Sequence, residues 1–191
     1  MKVRESGMPD EKMWNDFFDI DSILSEMQIN GQVNDIVEIG CGYGTFTIPA
    51  AKQINGKLFA YDIEKEMIDI LEQKIKNERI DNIIPEHRDV LTKKTGLANN
   101  SMDYVMLFNI LHHETPNEFF NEAYRILKPQ GKIGIIHWRS DISTPRGPGL
   151  SIRPKPDQIL NWIDRQMFSI YKEPFNIEPY HFGLIISKLS A

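Results

Sequence analysis

The sequence holds one cysteine, Cys41, among 191 residues. That excludes an intrachain disulfide and any metal site built from several cysteines. No apolar run approaches the ~18 residues of a membrane span. Met1 to Asp16 carries charged residues where a signal peptide would have an apolar core. The expected compartment is the cytoplasm, with no membrane partner. Basic residues are outnumbered, 22 Lys and Arg against 27 Asp and Glu, for a net charge of −5. That sign argues against a whole-surface phosphate binder such as a small DNA-binding module, and no nucleic-acid partner is expected. Internal repeats and low-complexity tracts are also lacking. The 41% hydrophobic and 26% charged residues that remain are ordinary for one soluble domain spanning residues 1–191.

Residues 1–31 read as a helical N-terminal segment. Trp14, Phe17, Phe18, Ile23, Leu24 and Met27 fall mostly at three- and four-residue spacings, which predicts one or two amphipathic helices ended by Asn30 and Gly31. From Val33 to Trp138 the pattern alternates. Ile36–Ile39 is a short apolar run, the mark of a buried parallel strand. Thr45 to Ile54 then predicts a helix. Lys57 to Tyr61 is a second strand, and Glu64 to Lys76 a helix with Met67, Ile68, Leu71 and Ile75 on one face. Ile83 to Pro85 is a weak third strand, Asp103 to Asn109 a fourth and Lys132 to Trp138 a fifth. Thr115, Pro116 and Glu118 predict a capping box with proline at the first helical position, and Lys128-Pro129-Gln130-Gly131 stops that helix. The alternation implies an α/β, doubly wound, mainly parallel sheet. In residues 139–191, Arg139 to Pro156 holds four prolines, two glycines and Arg139, Arg146 and Arg153. A connector of that length is functional or mobile. A helix over Asp157–Phe168 and two antiparallel terminal strands around Pro179 follow.

The richest segment is Glu38-Ile39-Gly40-Cys41-Gly42-Tyr43-Gly44, between a strand and a helix, where open α/β sheets bind ligands. Glycines allow the sharp turn and a close ligand approach. Asp62 lies 22 residues after Gly40, where an acid can accept from two ribose hydroxyls. A dinucleotide enzyme would want its third glycine one position later, where Thr45 stands. Glu38 would repel a pyrophosphate but attract an ammonium. The pattern suggests a cationic nucleoside without phosphates, which S-adenosylmethionine matches.

From Val33 to Trp138 the chain resembles the class I S-adenosylmethionine-dependent methyltransferases. The resemblance implies a seven-stranded, Rossmann-like sheet with a reversed last strand. It implies that the loop through Gly40, Cys41, Gly42 and Gly44, with Glu38, holds the methionine part. By the same likeness Asp62, with Ile63 beside it, holds the ribose. Asp89 and Val90, in Arg88-Asp89-Val90, meet the adenine, and Asn109 and Ile110 line the cofactor. Leu127-Lys128-Pro129-Gln130-Gly131 matches the family's L-K-P-G-G stretch, with Gln130 for the first glycine. S-adenosylhomocysteine would be the product. Cys41 reads as a small residue at the cofactor, not a nucleophile.

Methyl transfer needs alignment and exclusion of water, and a base only where the acceptor must lose a proton. His112 and His113 follow the fourth strand and are the candidates for base or orienter. Trp138, His181 and Arg146 are candidates for the substrate pocket, with His137 beside Trp138. Arg139, Arg146 and Arg153 could clamp a carboxylate or phosphate on the acceptor; the plainer readings are a solvated loop for the arginines and capping, packing or solvation for the histidines. No H-x-x-x-H or H-E-x-x-H spacing occurs, so no metal is expected. Trp14, Phe17 and Phe18 read as the docking face of the first helix, with a lid over the cofactor as the other reading. The family's Asn/Asp-Pro-Pro-Tyr tetrad of amino-directed DNA enzymes is replaced by Asn109-Ile110-Leu111-His112. The Pro-Cys of cytosine-C5 enzymes and the several cysteines of arsenite enzymes are missing. A small-molecule acceptor remains, ahead of a protein side chain. The alternatives are a catalytically silent S-adenosylmethionine-binding sensor or partner subunit and, less in keeping with Gly44 and Glu38, a nicotinamide-dependent oxidoreductase. The sequence leaves monomer or homodimer open.

Overall fold

The computed structural model describes residues 9–190. The N-terminal segment forms two short helices, α1 (Glu11–Asn15) and α2 (Ile20–Glu26), capped by the carboxylates of Asp10 and Asp19. The strands are β1 (Ile36–Ile39), β2 (Leu58–Asp62), β3 (Ile83–His87), β4 (Met102–Phe108), β5 (Leu127–Trp138), β6 (Phe168–Ile177) and β7 (His181–Lys188). They build one sheet in the order β3-β2-β1-β4-β5-β7-β6. The first five pair in parallel, while β7 enters antiparallel between β5 and β6. The reversed last strand and the seven-stranded α/β class follow the expectation.

Why both sheet faces are covered is written in β4. Tyr104, Met106 and Phe108 join one core cluster with Leu24, Met27 and Ile48, while Val105 and Leu107 join a second with Phe120 and Ala123. A strand with apolar residues at both parities must be buried on both sides. Helices α3 (Thr47–Gln53) and α4 (Lys65–Glu78) complete the first layer; α6 (Asn117–Ile126) and α7 (Pro156–Trp162) complete the second. Short α5 (Val90–Lys93) follows β3.

Two local expectations fail. The predicted capping box is absent: Pro116 precedes α6, no side chain caps that helix, and the Thr115 hydroxyl turns instead to His113 Nδ1 at 3.2 Å. The last helix stops at Trp162, because Phe168 already pairs in β6. Residues 139–156 are not left loose. The Arg153 guanidinium donates to the carbonyls of Pro148 (2.7 Å), Arg139 (3.0 Å) and Arg146 (3.0 Å), drawing the segment around one buried cation. Gln130, at the family's glycine position, holds a left-handed φ of 65°, a conformation that costs a non-glycine residue roughly 1–2 kcal/mol. Among the described residues no helix is long and apolar enough to cross a membrane.

Candidate active site

The carboxyl ends of β1, β2 and β4 open onto one cavity of about 790 Å³. Its floor is the glycine loop. Gly40 has φ +82°, and a Cβ there would fall 2.6 Å from Ile110 Cγ2. Any side chain at this position would be strained and would strike the opposite wall. Asp62, at the end of β2, accepts from the Gly42 N–H (2.8 Å) with one oxygen and the Glu64 N–H (2.9 Å) with the other. The acid read from sequence as a ribose acceptor therefore also holds the loop in shape. Burial raises its pKa from the ordinary aspartate value, and the two amides pull against that.

Glu38 is buried at the end of β1 and accepts from the Thr47 hydroxyl on α3. Burial raises its pKa to about 8, the Thr47 bond opposes this, and Asp62 adds to it. Cys41 is a buried free thiol whose pKa burial drives well up, which fits no nucleophilic role. Asp89 caps α5 through one oxygen, accepting from Leu91 N–H (3.0 Å) and Thr92 N–H (3.3 Å). Asn109 leaves β4 with a left-handed φ of 59°. Its backbone N–H donates to Ile136 (2.7 Å), but its side-chain oxygen and nitrogen are buried with no hydrogen-bond partner among the described residues. Strain combined with an unsatisfied amide in a cleft marks a ligand position.

Of the residues predicted for the cofactor, Glu38, Gly40, Cys41, Gly42, Asp62, Ile63, Asp89, Val90, Asn109 and Ile110 all line this cavity. Gly44 does not line it; its φ of +80° places it against Leu71 beneath the loop. Phe46 and Phe108, which sequence reasoning missed, complete an aromatic wall with Trp14, weighed as a lid, and Trp138, a substrate-pocket candidate. Trp14 is both things weighed for it, a docked core residue 6.0 Å from the Trp138 ring and a side of the cavity.

A second cleft of about 560 Å³ lies beyond, between the start of α6 and residues 151–162. His112 and His113 line both spaces. The ring of His112 is buried 5.7 Å from that of His137. His113 Nδ1 accepts from the Thr115 N–H at 3.1 Å. His137 and His181 are fully buried and line neither space. Burial drives the His137 pKa well down, with His112 second in effect. It drives His181, set against Trp138 (4.2 Å) and Phe18 (4.6 Å), to about 3. Arg146 is exposed and lines neither space, whereas Arg153 is buried and lines the second cleft. Among the described residues no group of three or more His, Cys, Asp or Glu is placed to hold a metal ion.

Residues 36–131, about half the chain, match the family described as a methyltransferase domain. An uncharacterised methyltransferase-like protein of Schizosaccharomyces pombe is 30% identical over 125 residues, 65% of this chain and 46% of that protein. A demethylmenaquinone methyltransferase of Lactobacillus johnsonii is 28% identical over 116 residues, 59% of this chain and 45% of that one. The chain thus spans about half the length of the curated relatives it matches. The crystal structure of a SAM-dependent methyltransferase from Aquifex aeolicus has a TM-score of 0.82 and 20% identity and covers 94% of both chains, a likeness of fold. With the matched half of the chain supplying the glycine loop, Asp62 and Asn109, the protein belongs to the methyltransferase domain family, of the class I S-adenosylmethionine-dependent kind.

Proposed function

We propose that the protein moves a methyl group from S-adenosylmethionine to a small-molecule acceptor. The observation that carries this reading is the unpartnered amide of Asn109, facing a cavity that Glu38, Asp62 and Asp89 also line. The residues present fit the cofactor. Each Asp62 oxygen has a lone pair left after its backbone bond, enough for two ribose hydroxyls. Asp89 uses one oxygen as a cap and keeps the other for an adenine amino group. Glu38, with its pKa near 8, is drawn into its ionised form by an ammonium brought beside it. Asn109 gains the partners it lacks. When bound, S-adenosylmethionine supplies a methyl on a positively charged sulfur, already activated for displacement.

The chain's own work is then alignment and exclusion of water. Trp14, Phe46, Phe108 and Trp138 keep one end of the cavity dry. His112 and His113 stand where the two spaces meet, so an acceptor between them and the cofactor touches both walls. The small-molecule class is supported by the small volume of the second cleft, the net charge of −5 and the kind of acceptor that the Lactobacillus relative's name gives for that protein.

Calorimetric titration with S-adenosylhomocysteine, with NAD alongside, tests the cofactor. Micromolar-range binding of the first and none of the second is expected; failure of S-adenosylhomocysteine to bind sinks the reading. A panel of small acceptors and bulk tRNA, each with methyl-labelled S-adenosylmethionine, then tests the acceptor class. Label moving to tRNA alone would overturn it.

A further inference from the structure

A cation in a protein interior loses several kcal/mol of hydration unless something compensates it. Arg153 is 6% exposed, and its partners are three backbone carbonyls and the face of Trp138, 5.3 Å away. No described carboxylate pairs with it. The three carbonyls use three of its five N–H donors. Burial lowers its pKa, and no neighbouring acid counters that. A loop staple made this way leaves a positive charge and two donors at the wall of the second cleft.

Three other polar surfaces of that cleft have the same sense. His113 Nδ1 is held by the Thr115 N–H, so in the neutral ring the proton sits on Nε2 and the free nitrogen is a donor. The first turn of α6, a helix of ten residues, lines the cleft and has no side-chain cap. Its dipole therefore presents positive potential there. Gln158 also lines the cleft, but its side-chain oxygen is already taken by the Lys155 N–H, so its NH₂ is the group left over. Two acids belong to the lining, Glu114 and Glu118. Both are exposed, and Glu118 faces Lys94 at 3.6 Å, so water screens them at the rim while Arg153 acts from the buried wall.

We propose that the second cleft is an anion subsite, in which the Arg153 guanidinium and the His113 Nε2–H receive a carboxylate or phosphate carried by the methyl acceptor. The acceptor identity rests on the methyltransferase reading; the anion site does not. The proposal also assigns His113 as an orienting donor, because acting as a base through Nδ1 would require breaking its bond to Thr115.

The test is ligand-detected NMR on the full chain, with S-adenosylhomocysteine present and absent, using benzoate, phenyl phosphate, benzyl alcohol and benzylamine. Benzoate or phenyl phosphate should bind at least about tenfold more tightly than the alcohol and the amine, and whichever anion binds better separates the two sources. Arg153→Met should lower anion affinity about tenfold or more, Arg153→Lys less, with S-adenosylhomocysteine affinity moved under about threefold. If Arg153→Met does not fold, His113→Ala carries the test, and should weaken anion binding by about threefold to tenfold. Equal binding of all four probes, no anion binding at millimolar concentration, or anion affinity unmoved in both His113→Ala and Arg153→Lys would overturn the site. Failure of S-adenosylhomocysteine to bind the wild type would instead strike the methyltransferase reading and leave the anion result standing alone.

Discussion

The cavity over the glycine loop and the cleft beyond His112 and His113 meet at one wall, yet the ionisable groups they turn inward are of opposite kind, acids in one and a base in the other. The first turns Glu38, Asp62 and Asp89 inward, and Arg88, its one lining Lys or Arg among the described residues, is already paired with Glu86 at 2.6 Å. The second turns a buried arginine inward. They also differ in construction. The acidic cavity is made from loops that directly follow strands, each supplying its residues within a few positions. The basic cleft joins the start of α6 to a residue held by carbonyls five, seven and fourteen positions away. Adjacent sites of opposite sign can sort a zwitterionic reaction mixture, the cationic end of one ligand going one way and the anionic end of another going the other.

The comparison breaks most visibly at Gly40. Gly40→Ala places a methyl 2.6 Å from Ile110 Cγ2 at a left-handed φ. Strain and overpacking together should cost roughly 3 kcal/mol or more, seen as a lower thermal midpoint and lost S-adenosylhomocysteine binding. A variant that melts and binds like wild type would show that the loop does not shape the acidic cavity. Asp62→Ala frees the Gly42 and Glu64 amides and should weaken S-adenosylhomocysteine by about 2–3 kcal/mol in calorimetry.

Glu38 gives a pH signature peculiar to the acidic side. Its pKa is raised from 4.5 to about 8 on folding, so between those values the folded chain holds a proton that the unfolded chain has released. Stability must then fall as pH rises through that window, by at most about 1.4 kcal/mol per unit for this group. Glu38→Gln should flatten the decline in denaturant melts between about pH 5 and 8; an unchanged slope would show that Glu38 does not hold the proton. The smallest effect belongs to Asn109. Asn109→Gly relieves the left-handed backbone and should raise stability by up to about 1 kcal/mol while weakening S-adenosylhomocysteine severalfold. Loss of stability with unchanged binding would reverse the reading of that amide.

The acidic side was legible because its chemistry is local. Glu38, Gly40, Asp62 and Asn109 each stand at the end of an apolar run, and the run fixes where the side chain ends up. What those residues also hold was not legible: that Asp62 ties down Gly42, or that Asp89 is spent in part as a cap, depends on contacts between loops. On the basic side the sequence singled out Arg146, from the stiff turn Pro145-Arg146-Gly147-Pro148. The turn exists, but its carbonyls face inward to Arg153 and its own guanidinium faces water. Which of three arginines in a proline-rich segment becomes the hub depends on the Trp138 face it lies against, and Trp138 is on another element. Thr115 failed as a cap for a similar reason: its hydroxyl is turned to His113, two residues earlier.

The insertion of β7 between β5 and β6 has a bearing on the order of assembly. The strand that joins β6 to the rest of the sheet is the last one in the sequence, so on a growing chain β1 to β5 can pair before it exists, while β6 has no neighbour to take it. Closing the sheet requires β7 to find β5 from 43 positions away in register, Trp138 opposite His181, a slow non-local step. Until then the far edge of β5 and the whole of β6 are open to pairing with other chains. Trp138, at the carboxyl end of β5, belongs to that edge, so most of the acidic cavity can take shape during synthesis, while its Trp138 side waits for residues 181–188.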